Sequence, residues 1–204
     1  MKSKKIGIVI LASLIAGIVL PSHLQNSKKS LETPNYEATA TVEKIIDGDT
    51  LSVKIQKIID PHKGIEPGID KLRLAGIDTA ELSQNKAAEE TKKVKNMTQK
   101  EYEDTLFYER AFRAKKILEN IIPPETKIYL DIDDLAFGKR SYRGYFDRII
   151  AIIYKKKDNE WININAKVVN QEYSKGPSSD YPILSKYNTE FDPHRWLEND
   201  YPYL

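Results

Sequence analysis

Two short stretches of the chain carry residue types and spacings that could do chemistry: DGDT at residues 47–50 and DTAE at residues 78–81. Arg73 precedes the second stretch by five positions, so the set offers four carboxylates and one guanidinium. Hard divalent cations such as calcium prefer several oxygen ligands from carboxylates, carbonyls and water. Asp49, Asp78 and the backbone carbonyl of Thr79 could supply such ligands. These stretches are therefore candidates for a calcium site.

Composition narrows the possible chemistry. The 204 residues contain no cysteine and three histidines, which are His23, His62 and His194. Thiolate zinc sites, cysteine nucleophiles and disulfide frameworks are excluded, and a histidine-rich metal centre is disfavoured, which leaves a hard cation as the natural hypothesis. Lys and Arg number 32 against 30 Asp and Glu, for a net charge of +2. Any binding of nucleic acid must therefore come from local placement of charge.

Both stretches also have ordinary structural interpretations. Asp-Gly between two strands is a common hairpin turn, and a run of polar residues after a strand can simply lead into a helix cap. On an ideal strand Arg73 points to the face opposite Asp78, because side chains alternate. A bulge near Gly76 would bring the two together, but the sequence does not require one. Spacing alone leaves these alternatives open.

The elements that must position these residues follow from hydrophobic patterning. The pattern predicts three strands in the first part of the chain, at residues 38–46, 50–58 and 71–77, and the first two form a hairpin. It predicts further strands at residues 126–130, 149–154 and 161–162. Thr98 and Glu101 match a capping box, and an apolar stripe predicts a helix over residues 108–122 that ends at Pro123-Pro124. Residues 165–173 predict a short helix. The plan is α+β, a small barrel with appended helices.

The two ends of the chain differ from this body. Five residues with three lysines precede an uncharged run from Ile6 to Leu20, the layout of a signal peptide or a single-pass anchor over residues 1–24. Either would export the remainder of the chain, membrane-anchored or secreted. Residues 25–36 are polar and predict a linker. The aromatic-rich tail over residues 178–204 is expected to pack on the domain, and a partner surface is the alternative.

Four blocks, VEKIIDGDTLSV, KLRLAGIDTAEL, YERAFRAKKILENII and FDRIIAIIY, resemble the staphylococcal nuclease (thermonuclease) family in order and spacing. They cover most of residues 38–175, and their combination is more specific than any single block. The resemblance implies a five-stranded OB-type barrel with helices over residues 37–177. It also implies calcium-dependent hydrolysis of phosphodiester bonds in DNA or RNA, by a chain that we expect to be monomeric.

Carried over position by position, the resemblance implies a role for each charged residue. Asp49 and Asp78 would be calcium ligands with the carbonyl of Thr79, and Asp47 would lie near the metal. Arg73 and Arg148 would contact the scissile phosphate, and Glu81 would be the general base. Two guanidiniums and a divalent cation would neutralise the charge that a phosphodiester gains in its transition state. On local grounds alone, Arg148 could equally be a surface arginine that pairs with Asp147.

Some residues depart from the family pattern. Ala80 stands where the family usually has proline, so the turn before Glu81 is less rigid. Asp147 stands where a glycine is common and could pull on Arg148. Basic and aromatic residues mix in the loop before Arg148, either as a nucleic-acid groove or as a solvated surface: Lys139, Arg140, Tyr142, Arg143, Tyr145 and Phe146.

Two other function classes remain. A non-catalytic binding module for nucleic acid or protein would have the same fold, although the retained charged set argues against it. An extracytoplasmic scaffold, tethered by residues 6–20 and docking through its tail, is the second alternative.

Overall fold

The computed structural model describes residues 33–61, 65–132 and 143–174. Six strands and four helices lie in these ranges. The strands are β1 (Ala38–Ile45), β2 (Thr50–Ile58), β3 (Gly68–Leu74), β4 (Lys127–Ile132), β5 (Ile149–Lys157) and β6 (Glu160–Asn163). The helices are α1 (Gln84–Glu90), α2 (Gln99–Glu103), α3 (Leu106–Ile121) and α4 (Ile164–Ser174).

Five of the strands close into a barrel. Strand β1 pairs antiparallel with both β2 and β4, β2 pairs with β3, and β4 pairs with β5. A parallel pairing of β3 with the start of β5 completes the ring, and β6 extends the far end of β5. The expected α+β class with a five-stranded OB-type barrel is confirmed at this level.

The strands form because their apolar residues alternate or run continuously. In β2, Leu51, Val53 and Ile55 point into the core, whereas β5 begins with the apolar run IIAIIY, which is buried throughout. A continuous apolar run suits β5 because it pairs with three other strands along its length and successive residues of the run, which point to opposite faces, are all buried. The sheet therefore gives a rigid frame to the residues at its strand ends.

Helix α3 has the predicted apolar stripe: Ala111, Ala114, Ile117 and Leu118 are buried. The capping box of Thr98 and Glu101 is also present, but the helix that it opens is only the five-residue α2. Helix α3 begins at a second cap, Thr105, whose side chain accepts a hydrogen bond from the Tyr108 N–H. The predicted start at residue 108 was therefore two residues late.

A small helical insertion separates β3 from α3. The sequence pattern indicated no element between the third strand and the capping box at Thr98, but α1 and a short 3-10 turn lie there, so that with α2 helical elements occupy residues 84–103. Ala87, Val94 and Tyr102 form a hydrophobic cluster of their own, separate from the barrel core. The insertion follows Glu81 directly, so it bears on the candidate site.

Helix α4 packs its apolar residues into the barrel core, and its buried Asn165 adds hydrogen bonds to the barrel. The Asn165 amide nitrogen donates to the carbonyls of Ala75 and Ala151, at 2.9 and 3.2 Å, and its oxygen accepts from the Ile153 N–H. These bonds hold the chain just after β3 against β5. The end of β3, where the candidate site begins, is thereby fixed.

Several predictions lie outside the described residues. These are the leader and most of the linker, the loop segment with Lys139, Arg140 and Tyr142, the aromatic tail, and the three histidines. Within the ranges that the structure describes, no helix is long and apolar enough to cross a membrane.

Candidate functional site

The DGDT stretch forms the turn between β1 and β2. The N–H groups of Ile46 and Asp47 both donate to the carbonyl of Thr50, and the Asp49 N–H donates to Asp47 Oδ1 at 3.2 Å. A Cβ on Gly48 would lie 2.5 Å from the Cβ of Ala114 in helix α3. Glycine therefore allows the turn to pack directly on the helix. The hairpin-turn and metal-ligand interpretations of this stretch are compatible, because the turn also presents Asp47 and Asp49 to one buried pocket.

Arg73 meets both candidate ligand carboxylates. Its Nη2 lies 3.0 Å from Asp49 Oδ2 and 2.5 Å from Asp78 Oδ1, and it donates to the carbonyl of Ile77 at 3.3 Å. The alternation of side chains along an ideal strand predicted that Arg73 and Asp78 point to opposite faces of the sheet. The contact forms because β3 ends at Leu74 and the chain then turns through Gly76, whose φ of 70° favours glycine.

Asp49 is the centre of the hydrogen-bond network. Its Oδ2 also accepts from the Thr79 N–H at 3.0 Å, and its Oδ1 accepts from the Thr50 hydroxyl at 2.8 Å. Asp49 is only 3% exposed, so a charged carboxylate here depends on these partners and on Arg73. The DGDT and DTAE stretches are therefore joined in space, as the calcium hypothesis requires.

Arg148 reaches the same pocket from the start of β5. Its Nη1 donates to the Thr50 hydroxyl at 3.0 Å, and that hydroxyl in turn donates to Asp49. Its guanidinium also lies over the exposed ring of Phe146, 5.4 Å from the centroid. Asp147, the partner in the alternative hypothesis, has its carboxylate 3.7 Å from Arg143. Arg148 is thus brought to the site.

Glu81 lies at the rim of the pocket. Its carboxylate is 3.2 Å from Lys86 Nζ, and its backbone carbonyl accepts a hydrogen bond from the Tyr102 hydroxyl at 2.6 Å. Its negative charge acts on the pKa values of Asp47, Asp78 and Arg148. All six residues assigned from the sequence, together with Asp47, therefore belong to one region of the molecule.

The carboxylates crowd one another. Burial, reinforced by the charge of Asp49, raises the pKa of Asp47 to about 7. Burial also raises the pKa of Asp78, with further contributions from Asp49 and Glu81, although Arg73 opposes the shift. Burial is the largest cause of both shifts, so the charged forms of these carboxylates are only partly compensated by their neighbours. Such a pocket favours an added cation.

The pKa values of Arg73 and Arg148 are shifted in opposite directions. Burial acts to lower the pKa of Arg73, but Asp49 and Asp78 more than offset it, so that this pKa lies above its ordinary value. Burial, followed by the charge of Arg73, lowers the pKa of Arg148. Two guanidiniums that repel each other in a partly desolvated pocket favour an anion that contacts both.

Sequence reasoning missed four residues of this region: Thr50, Lys86, Glu90 and Tyr102. Thr50 could have been found, because it adjoins Asp49 and lies opposite Arg73 in the β2–β3 register. Glu90 reaches solvent, yet partial desolvation raises its pKa to about 7, with contributions from Asp78, Glu81 and Asp49. Lys86 and Glu90 are one helical turn apart on α1, and no apolar stripe had indicated that helix.

The donor set fits calcium in chemistry. Asp49 and Asp78 supply hard oxygen atoms that converge on a single Arg73 nitrogen, in a largely buried cluster of carboxylates. Among the described residues, no group of three or more Asp, Glu, His or Cys side chains forms a ready-made metal cage. A cation held here would therefore draw on two carboxylates, a backbone carbonyl and water.

Comparison with protein-family models and with curated proteins finds no significant match for this chain. The similarity to the staphylococcal nuclease family therefore stands on the four sequence blocks alone.

Proposed function

We propose that this chain is a calcium-dependent nuclease of the staphylococcal nuclease type, which hydrolyses phosphodiester bonds of DNA or RNA. One observation carries the proposal. Two arginines from distant parts of the chain, Arg73 and Arg148, reach one carboxylate-rich pocket and are connected through Asp49 and Thr50. A purely structural ion pair needs no second, partly desolvated guanidinium, whereas a phosphodiester needs two cationic contacts as its charge grows.

Each residue has a defined task in this proposal. Arg73 and Arg148 bind the non-bridging oxygens of the scissile phosphate, because the planar guanidinium matches phosphate geometry and stays charged. Glu81, at the partly open rim, accepts a proton from the attacking water. Asp49 and Asp78, with the Thr79 carbonyl, would hold the calcium ion, which supplies charge neutralisation when bound. The Thr50 hydroxyl orients both Asp49 and Arg148.

The orientation of Arg73 is an intrinsic part of this site. The carboxylates of Asp49 and Asp78 and the carbonyl of Ile77 all contact its Nη2, so one end of the guanidinium is fixed by the protein. A fixed guanidinium does not have to be ordered during the reaction, which reduces the reorganisation cost of the transition state.

The direct test is a nuclease assay on purified residues 33–204 with single-stranded and duplex DNA and with RNA. We expect cleavage with millimolar calcium and none after chelation. The matched variant is Asp49→Asn, which keeps size and removes the charge, and we expect it to lose calcium-dependent cleavage. Binding of nucleic acid without cleavage, under every metal condition, would instead support the binding-module alternative.

A further inference from the structure

Helix α2 makes three hydrogen bonds to the chain that immediately follows the candidate general base. The Tyr102 hydroxyl donates to the Glu81 carbonyl at 2.6 Å. The Gln99 side chain donates to the Leu82 carbonyl at 3.1 Å and accepts from the Gln84 N–H at 2.8 Å. Three of the four positions 81–84 are therefore held from one short helix. We name Gln99 and Tyr102 together the α2 bracket.

The α2 bracket is itself well fixed. Tyr102 is completely buried in the small insertion core and packs edge-to-face on Tyr108, with ring centroids 5.8 Å apart. Helix α2 has a complete capping box at Thr98. The buried Gln84 donates to the carbonyl of Val94 at 2.6 Å, which ties the start of α1 to the same core. A rigid support is what a precisely placed side chain requires.

The segment that carries Glu81 needs such a support. Ala80 precedes Glu81, and alanine does not lock the backbone dihedral φ as a proline ring would. Glu81 lies two residues beyond Thr79, whose N–H bonds to Asp49, and its carboxylate contacts Lys86. The bond from Tyr102 acts on the Glu81 backbone itself.

We propose that Tyr102 is a positioning residue, and that the helical insertion serves to hold Glu81 at the distance and angle that its catalytic role needs. This inference rests on the proposed nuclease function. It gives the insertion over residues 84–103 a purpose beyond its own folding: the small core of Ala87, Val94 and Tyr102 stabilises a helix whose side chains fix the general-base segment.

The test is Tyr102→Phe, which keeps the buried ring and removes only the hydroxyl that bonds to Glu81. We expect kcat to fall about 10- to 100-fold while KM changes less than about twofold, because small displacements of a catalytic group reduce turnover. Tyr108→Phe removes a hydroxyl from the same small core and is the matched control; we expect its kcat to remain close to that of the wild type.

A double-mutant cycle distinguishes positioning from general destabilisation. In the Glu81→Gln background the base is already absent, so adding Tyr102→Phe should lower kcat no further. Amide hydrogen exchange at Leu82 and Gln84 gives a readout independent of activity, and we expect faster exchange in Tyr102→Phe. Equal losses of kcat in both backgrounds, or wild-type kcat in Tyr102→Phe, would overturn the inference. An inactive wild-type protein would instead refute the nuclease proposal itself.

Discussion

At the scale of single residues, Arg148 depends on its planar fork. One nitrogen donates to Thr50 and the guanidinium lies over Phe146, and its planar fork matches the geometry of a phosphate. We predict that Arg148→Lys lowers kcat about 100- to 1000-fold, because lysine keeps the charge but loses the fork. Initial rates with saturating calcium measure this loss. Near wild-type turnover in Arg148→Lys would remove Arg148 from the phosphate-binding role.

The same variant must be shown to be folded. We expect circular dichroism to be unchanged and the free energy of unfolding to drop by less than about 2 kcal/mol, the range for a single side-chain hydrogen bond. A large drop in stability would mean that Arg148 serves the fold rather than the reaction.

Gly48 gives a second prediction at the residue scale. Its added Cβ in Gly48→Ala would meet the Ala114 Cβ at 2.5 Å and the Thr79 Oγ1 at 2.8 Å. Ala114 belongs to a buried helix face and cannot move independently, so either the turn or α3 must shift. We predict a loss of about 1 to 3 kcal/mol in the free energy of unfolding, the usual cost of overpacking. Urea denaturation measures it; an unchanged midpoint would contradict the close packing of this turn.

At the scale of elements, the segment before β5 is joined to β3 by a bidentate ion pair. Arg143 bonds to both oxygens of Asp70, at 3.0 and 2.6 Å, and to the carbonyl of Asp147 at 2.7 Å. In the turn between Arg143 and Arg148, Phe146 and Asp147 have φ values of 60° and 58°, which residues other than glycine seldom adopt. The ion pair therefore offsets backbone strain in the turn that leads to Arg148.

We predict that Asp70→Asn or Arg143→Gln each lowers the free energy of unfolding by about 1 to 3 kcal/mol. A double-mutant cycle on the pair should give a coupling energy above about 1 kcal/mol. The exposed pair of Lys116 and Glu119 on α3 is the matched control, with an expected coupling of about 0.2 to 0.5 kcal/mol. Equal coupling in the two pairs would show that the Arg143 ion pair does not restrain the turn.

Helix α1 gives a prediction about pH. Partial desolvation, together with Asp78, Glu81 and Asp49, raises the pKa of Glu90 from 4.5 to about 7, while Arg73 opposes the shift. Between these values the folded protein keeps a proton that the unfolded chain has released. The Glu90 contribution to the free energy of unfolding therefore decreases as pH rises from about 4.5 to 7.

Glu90→Gln should remove that dependence. In a chelating buffer we expect the variant to be more stable than the wild type at pH 8 and equally stable at pH 4, by thermal denaturation across this range. Glu89→Gln, at the neighbouring exposed position, is the control and should not gain stability selectively at high pH. If Glu90→Gln gained the same stability at every pH, the gain would not arise from ionisation of Glu90.

The strands and α3 could be predicted from the sequence because each buries a periodic apolar face. The insertion could not, since α1 and α2 are short, polar and stabilised by a cluster of only three buried residues. The contact between Arg73 and Asp78 could not be predicted from the alternation of side chains along a strand either, because it depends on where β3 ends and on the turn at Gly76. Asp49, Asp78 and Thr79 were candidate ligands from residue type and spacing alone, whereas the roles of Arg73, Glu81 and Arg148 came from the family resemblance. That resemblance carries residue types but not the supports around them.

At the scale of the whole molecule, near-neutral net charge conceals a strong local concentration of charged groups. Lys and Arg exceed Asp and Glu by only two over the chain, yet the pocket gathers Asp47, Asp49, Asp78 and Glu81 around Arg73 and Arg148. The barrel imposes this arrangement, because it brings the β1–β2 turn, the end of β3 and the start of β5 to one place. The repulsion among the carboxylates is a cost to the fold that a bound cation would relieve.

Calcium should therefore stabilise the folded protein. A ligand that binds only the folded state at 100 times its dissociation constant adds about 2.7 kcal/mol, which for a chain of this size raises Tm by about 5 to 10 °C. Differential scanning calorimetry with and without millimolar calcium measures the shift. In Asp49→Asn we expect the shift to disappear, whatever the Tm of the variant without metal, because the central carboxylate is gone. An unchanged Tm in the wild type would count against a cation in this pocket, and a shift that survives in Asp49→Asn would place the ion elsewhere.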